Sequence, residues 1–143
     1  MPIEWLHGDP LTTTAQTLAF GWNARGRIEV GMLETRLHTT YPTAFAAFGK
    51  AARNGRLKAG DVWVWSESRP RLAFLVVRES NVGATRERYL ESTFLTLGRD
   101  HRLYGVETLA LAPLVTALEW PAFQSVLTYW FGRGALPVSA YHP

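Results

Sequence analysis

The sequence predicts an α/β protein, a three-layer α/β/α sandwich around a mixed central sheet. Three observations predict it. Strand-like and helix-like segments alternate along the chain, the order that gives α/β layers. Val62-Trp63-Val64-Trp65 and Leu72 to Val77 are apolar at every position, as strands covered on both faces are, so both are expected to be central. The breaks between segments fall at Gly, Pro and Asn, the residues that end regular structure.

Taken in order, Ile3 to Leu6 reads as a short strand that stops at the turn Gly8-Asp9-Pro10. Thr17 to Trp22 reads as a buried strand ending at Asn23, with a Gly-containing loop from Ala24 to Gly31 behind it. Met32 to Thr39 has room for two helical turns. Pro42 opens a clearer helix with Phe45, Phe48 and Ala52 on one face and Asn54-Gly55 at its end, since Pro suits the first turn and Gly the exit. The strands Val62 to Trp65 and Leu72 to Val77 are joined by a polar turn with Arg69-Pro70. Thr85 is placed to cap a helix reaching about Gly98, with Tyr89, Phe94 and Leu97 near its inner side. Thr108 to Ala112 is a fifth strand, Glu119 to Phe131 a helix, and Val138 to Tyr141 a sixth strand.

The 143 residues suit one domain from 1 to 143, with 47% hydrophobic and 19% charged residues, ordinary for a globular chain. Every apolar run is interrupted well short of the roughly 18 residues a membrane span needs. The opening Met1-Pro2-Ile3-Glu4-Trp5 has neither a basic nor a long apolar region, so no secretory signal is expected. With no Cys, disulfides, zinc ribbons and thiol catalysis are excluded, and a reducing, cytoplasmic setting is expected. The net charge of +3 comes from basic residues spread with no run of five, more like solvated charge than a nucleic-acid footprint. His7, His38, His101 and His142 lack ligand spacing, so no metal is expected. The G-x-S-x-G, Walker and G-x-G-x-x-G signatures are missing too, and no cofactor is implied. The six Trp residues suit core packing better than base stacking.

An ordered set of short motifs resembles the macrodomains. Gly8-Asp9 follows the first strand, and Asn23 ends the second. Then come Tyr41-Pro42-Thr43-Ala44-Phe45, Gly60-Asp61-Val62-Trp63-Val64, Gly105-Val106-Glu107-Thr108-Leu109-Ala110 and Leu118-Glu119-Trp120, and the ending Leu136-Pro137 to Tyr141-His142-Pro143. They are most similar to the DarG-like, antitoxin-type branch that removes ADP-ribose from DNA bases. The resemblance spans essentially the whole chain. It implies a cleft for ADP-ribose or an ADP-ribosylated macromolecule, with nucleic acid as a further partner class and no membrane partner.

The resemblance also implies site residues. Asp9, just past a strand end where open sheets place ligands, would accept a hydrogen bond from the adenine amino group; it also suits a turn that organises only backbone. Asn23 would contact the distal ribose, or cap the strand-to-loop transition. Gly26 and Gly31 would let backbone N–H groups approach the diphosphate. Glu29 in that loop would repel a diphosphate unless Arg25 or Arg27 offsets it.

Two departures from the pattern bear on function. The family's glycine-rich P-L-G-C-G-L-G-G-L-D-W stretch corresponds to Pro113-Leu114-Val115-Thr116-Ala117-Leu118-Glu119-Trp120, three residues shorter and free of Gly. Left-handed backbone there would cost Val or Ala about 1–2 kcal/mol per residue, so this loop, with Val115 and Thr116 at the phosphate position, must take another path. Arg78 stands where the branch has a Lys, and Asn81 where it has a Trp. Arg holds phosphate but keeps its proton near neutral pH, so no catalytic residue is assigned. Arg78 then binds phosphate, or pairs with Glu79 or Glu87 at the surface. The alternative to a binding module is a pseudo-macrodomain that contacts nucleic acid or protein, with Arg71, Arg78, Arg86 and Arg88 as its basic residues. No new catalytic constellation stands out.

Overall fold

The computed structural model describes residues 3–143, so Met1 and Pro2 of the opening segment lie outside the described residues. Its elements are β1 (Glu4–Leu6), a 3-10 turn (Pro10–Thr12), β2 (Thr17–Asn23), α1 (Met32–Thr40), α2 (Pro42–Arg53), β3 (Val62–Trp65), β4 (Arg71–Arg78), α3 (Glu87–Asp100), β5 (Leu109–Leu111), α4 (Trp120–Phe131) and β6 (Val138–Tyr141). The six strands form one mixed sheet in the order β1-β6-β5-β2-β4-β3. All neighbours run parallel except β3, which pairs antiparallel with β4.

The alternation of side chains along each strand sorts the core into two layers. Leu18, Phe20 and Trp22 of β2, with Phe74 and Val76 of β4, face Leu37 of α1 and Phe45 and Phe48 of α2. Ala19 of β2, with Leu75 and Val77 of β4 and Leu111 of β5, faces Phe94 and Leu97 of α3 and Phe123 and Leu127 of α4. Phe74 anchors the first layer. Its ring lies 4.3 Å from Phe48, 4.7 Å from Phe20 and 4.8 Å from Phe45, separations at which aromatic pairs add to simple burial. The helices therefore cover both faces of the sheet, as the segment order predicts.

Two sequence expectations are corrected. β3 is the edge of the sheet and not a central strand. Trp63 and Trp65 are only half-buried; they stack on each other at 6.2 Å and cover their own side of the strand. Thr85 does not cap α3. Arg86 stands at the N-cap without a side-chain bond to the helix, and the Thr85 hydroxyl accepts from Arg78 Nη1 at 2.7 Å instead.

Because β1, β6, β5, β2 and β4 are parallel, their carboxyl ends share one edge of the sheet. Asp9, Asn23, Arg78, Pro113 and His142 all follow or end these strands at the edge where open α/β sheets hold ligands. No helix among the described residues is long and apolar enough to cross a membrane.

Candidate functional site

A cleft of about 700 Å³ opens at this carboxyl edge, with Glu34, Arg78, Thr85, Val115, Thr116 and Phe123 among its lining residues. Arg78, Val115 and Thr116 line it together with Pro113. Asp9 and Asn23 share the edge but do not line this cleft.

Asn23 is fully buried, and its amide is engaged by the loop that follows. Oδ1 accepts from the backbone N–H groups of Arg25 and Arg27, each at 3.1 Å. Nδ2 donates to the Arg27 carbonyl at 2.9 Å and to Glu29 Oε2 at 2.8 Å. Asn23 thus performs the capping role open to it. A ribose contact would have to displace one of these bonds.

Glu29 is buried as well, and Arg78 neutralises it. Nε and Nη2 of Arg78 reach Glu29 Oε2 at 3.2 and 3.0 Å. Arg25 and Arg27, the offsetting residues the sequence suggests, stay exposed. The surface pairing of Arg78 with Glu79 or Glu87 is not the one formed, and Glu79 accepts from the Tyr89 hydroxyl. Through Glu29 and Thr85 one guanidinium ties the β2–α1 loop to the β4–α3 loop, a fork geometry that Lys lacks.

Asp9 carries a different load. Its Oδ1 accepts from Leu11 N at 3.0 Å, capping the 3-10 turn, and its Oδ2 meets Arg36 Nη2 at 2.6 Å. The Arg36 bond first, and the Leu11 N–H second, hold the carboxyl below the usual carboxylate range. Each carboxylate oxygen can still accept another donor, so an amino group remains acceptable there. Gly26 has φ +66°, and a Cβ on it would meet Gly49 of α2 at 2.9 Å; its lack of a side chain lets the loop pack on that helix. At Gly31, φ +152°, the Glu34 carboxylate occupies the space a Cβ would need. The negative group folded over the start of α1 is one that motif reading missed, because nothing in the family pattern marks position 34.

The Gly-free loop after β5 takes the other path that its composition requires. No non-glycine residue among those described has a positive φ. The loop closes through Glu119, whose Oε1 accepts from Thr116 N at 3.1 Å and Thr116 Oγ1 at 2.8 Å. These bonds lower the Glu119 pKa, the backbone N–H first. The Thr116 amide, which the resemblance sets at the phosphate position, is thereby engaged.

The arginines of the alternative reading do not form one patch. Arg71 begins β4 and Arg78 ends it, about 23 Å apart at the rise of a strand. Among the described residues no group of acidic or histidine side chains has the geometry to hold a metal ion.

His142, just past β6, stacks on His7 at 4.0 Å and lies 4.6 Å from Trp120. Burial first, and the neighbouring His7 second, push the His142 pKa below 6.5. A depressed folded-state pKa means that the unfolded chain binds the proton more readily. This contribution to stability is complete above pH 6.5 and is lost as the pH falls through and below that value. Melting curves between neutral and mildly acidic pH are expected to show a falling Tm, and His142→Gln is expected to flatten the fall. An unchanged slope in that variant would assign the loss to other groups.

No protein-family model matches the chain, and no curated protein matches it in sequence. Solved structures do match. The macrodomain of Thermus aquaticus DarG is similar at a TM-score of 0.89 and 19% identity, over 99% of this chain and 98% of that one. The macrodomain of Mycobacterium tuberculosis DarG is similar at 0.87 and 20%, over 99% and 97%. The structure of Thermosipho africanus DarTG in complex with ADP-ribose is similar at 0.86 and 18%, over 98% of this chain and 42% of that one. With the same mixed sheet, the same layers and a cleft at the carboxyl edge, the chain has the macrodomain fold.

Proposed function

We propose that this chain binds ADP-ribose, free or attached to a macromolecule, in the cytoplasm, and that it removes the group weakly or not at all. The observation that carries the reading is the cleft of about 700 Å³ at the carboxyl edge, in a fold similar to 42% of Thermosipho africanus DarTG, a protein solved in complex with ADP-ribose. Asp9 supports an adenosine contact. The engaged amides of Asn23 and Thr116 speak for a weak hold on the distal ribose and diphosphate.

Calorimetry with ADP-ribose, AMP and a single-stranded oligonucleotide tests this. ADP-ribose is expected to bind at micromolar affinity or weaker, with AMP retaining most of the binding energy. Asp9→Ala is expected to weaken ADP-ribose by about tenfold, the usual scale for one charge-assisted bond. Unchanged affinity in that variant would rule out the adenine contact. The same two engaged amides favour a second reading, a pseudo-macrodomain that has given up the nucleotide and acts as an interaction module. Absence of both ADP-ribose and AMP binding would decide for it.

A further inference from the structure

We propose that Glu119 is a built-in competitor for phosphate: its carboxylate occupies hydrogen-bond donors in the loop after β5, and a ligand phosphate takes them by displacing it. On the reading of the cleft as an ADP-ribose site, on which this proposal rests, Glu119 is the residue that sets how tightly the phosphate end is held.

Donors in the cleft are few. Among the described side chains that line it, those of Arg78, Thr85 and Thr116 can donate a hydrogen bond. Arg78 is engaged with Glu29 and with the Thr85 hydroxyl. Thr116 offers a backbone N–H beside a hydroxyl, two donors that one oxyanion can take together. Both meet a single oxygen of the chain itself, Glu119 Oε1, at 3.1 and 2.8 Å. Three carboxylates line the cleft, those of Glu34, Glu87 and Glu119. Among the described residues Glu119 is the one of the three that is bonded to a lining residue.

The contact is built to be exchanged. Glu119 is exposed and stands at the N-cap of α4, yet its side chain bonds none of the helix N–H groups. It turns back along the loop instead. The Thr116 N–H first, and its hydroxyl second, hold the carboxyl below the usual range, so the group is an anion wherever a phosphate would also be one. Hydrogen bonds at an exposed site are of modest net strength, and a phosphate brings more oxygens to the same donors. The backward turn also has the form of a capping box, whose value is purely structural. The two roles differ in sign: losing a cap lowers stability and adds no affinity, whereas losing a competitor raises affinity.

Calorimetry with ADP-ribose, adenosine and inorganic pyrophosphate tests this on the intact chain. Glu119→Ala is expected to tighten ADP-ribose and pyrophosphate by about tenfold and adenosine by less than about twofold. Glu87→Ala takes a charge from the same cleft without freeing a donor, and its gain is expected to stay below about threefold. With Thr116→Val in place the gain from Glu119→Ala is expected to shrink, because one of the freed donors is gone. The Thr116 amide resonance in nitrogen–proton NMR spectra is expected to respond to pyrophosphate at lower concentration in the Ala variant than in the natural protein. Glu119→Gln removes the charge and keeps the local bonds, so it serves if the Ala variant folds poorly; its expected gain is about threefold. Unchanged or weaker ADP-ribose affinity in both Glu119 variants, or an equal gain in Glu87→Ala, would overturn the proposal and leave ADP-ribose binding in place. Binding of ADP-ribose by neither the natural protein nor any variant would overturn it together with the reading of the cleft.

Discussion

Arg78→Ala is expected to lower stability by about 3 kcal/mol, the scale for breaking a buried ion pair from one side, and the Tm by roughly 10 °C. The argument starts from burial. The side chain of Arg78 is 18% exposed and that of Glu29 9%, so water screens the pair poorly. Removing the guanidinium leaves the Glu29 carboxylate with Asn23 Nδ2 as its one remaining donor among the described residues and frees the Thr85 hydroxyl. Arg78→Lys restores charge but not the three-way fork, so it should fall between Ala and the natural residue. Glu29→Gln added to Arg78→Ala removes the stranded charge and should recover more than about 1 kcal/mol, since neighbours in one network do not add. Urea melts of the two single variants and the double variant measure this. Strict additivity would show that the pair is not coupled.

Turnover of ADP-ribosylated DNA or protein is expected to be absent or at least about 100-fold below that of a cleft that holds the ligand tightly, because loose positioning alone has that cost. Two independent features motivate the prediction. The Thr116 amide is held by Glu119, and the loop from Pro113 to Glu119 has no left-handed residue with which to aim several N–H groups at one diphosphate. Arg78 meanwhile is committed to Glu29 and Thr85. Grafting a glycine-rich stretch after Leu114 is expected to raise ADP-ribose affinity by about tenfold or more. Activity on an ADP-ribosylated oligonucleotide is expected, if at all, only when Arg78→Lys accompanies the graft. Robust turnover by the natural protein would show a catalytic solution of its own.

The layers and nearly every element were legible in the sequence, because periodicity is local and the core obeys it: Phe45 and Phe48 on α2, and the doubly covered β4, lie where their patterns put them. β3 shows the limit. Val62 to Trp65 is as apolar as β4, and no pattern within four residues tells a strand with neighbours on both sides from one whose tryptophans cover its own side. The site was less legible for a related reason. Arg78 meets Glu29 across 49 positions of sequence, since β2 lies beside β4 in a register that sets Asn23 against Arg78, with an irregularity after Trp22. Reading along the chain offered Glu79 and Glu87; only strand pairing brings Glu29. The engaged amide of Asn23 was hidden in the same way, because it depends on where Glu29 is held.

The pairing of β1 with β6 has a consequence for the order in which this fold can be completed. β1 has β6 as its one neighbour in the sheet, with Glu4 opposite Ser139 and Leu6 opposite Tyr141. A nascent chain therefore carries Trp5 and its strand unpaired until Ala140 and the rest of β6 have been made. β5, made much later, also keeps one edge open until β6 follows, because β6 is its outer neighbour too. β6, once made, closes both at once. Late closure by a contact so distant in sequence is slow, and an open apolar edge such as Leu109–Leu111 invites pairing with another chain while it waits. A fragment that stops before Val138 would never leave that state, and aggregation during expression is the outcome to expect of it.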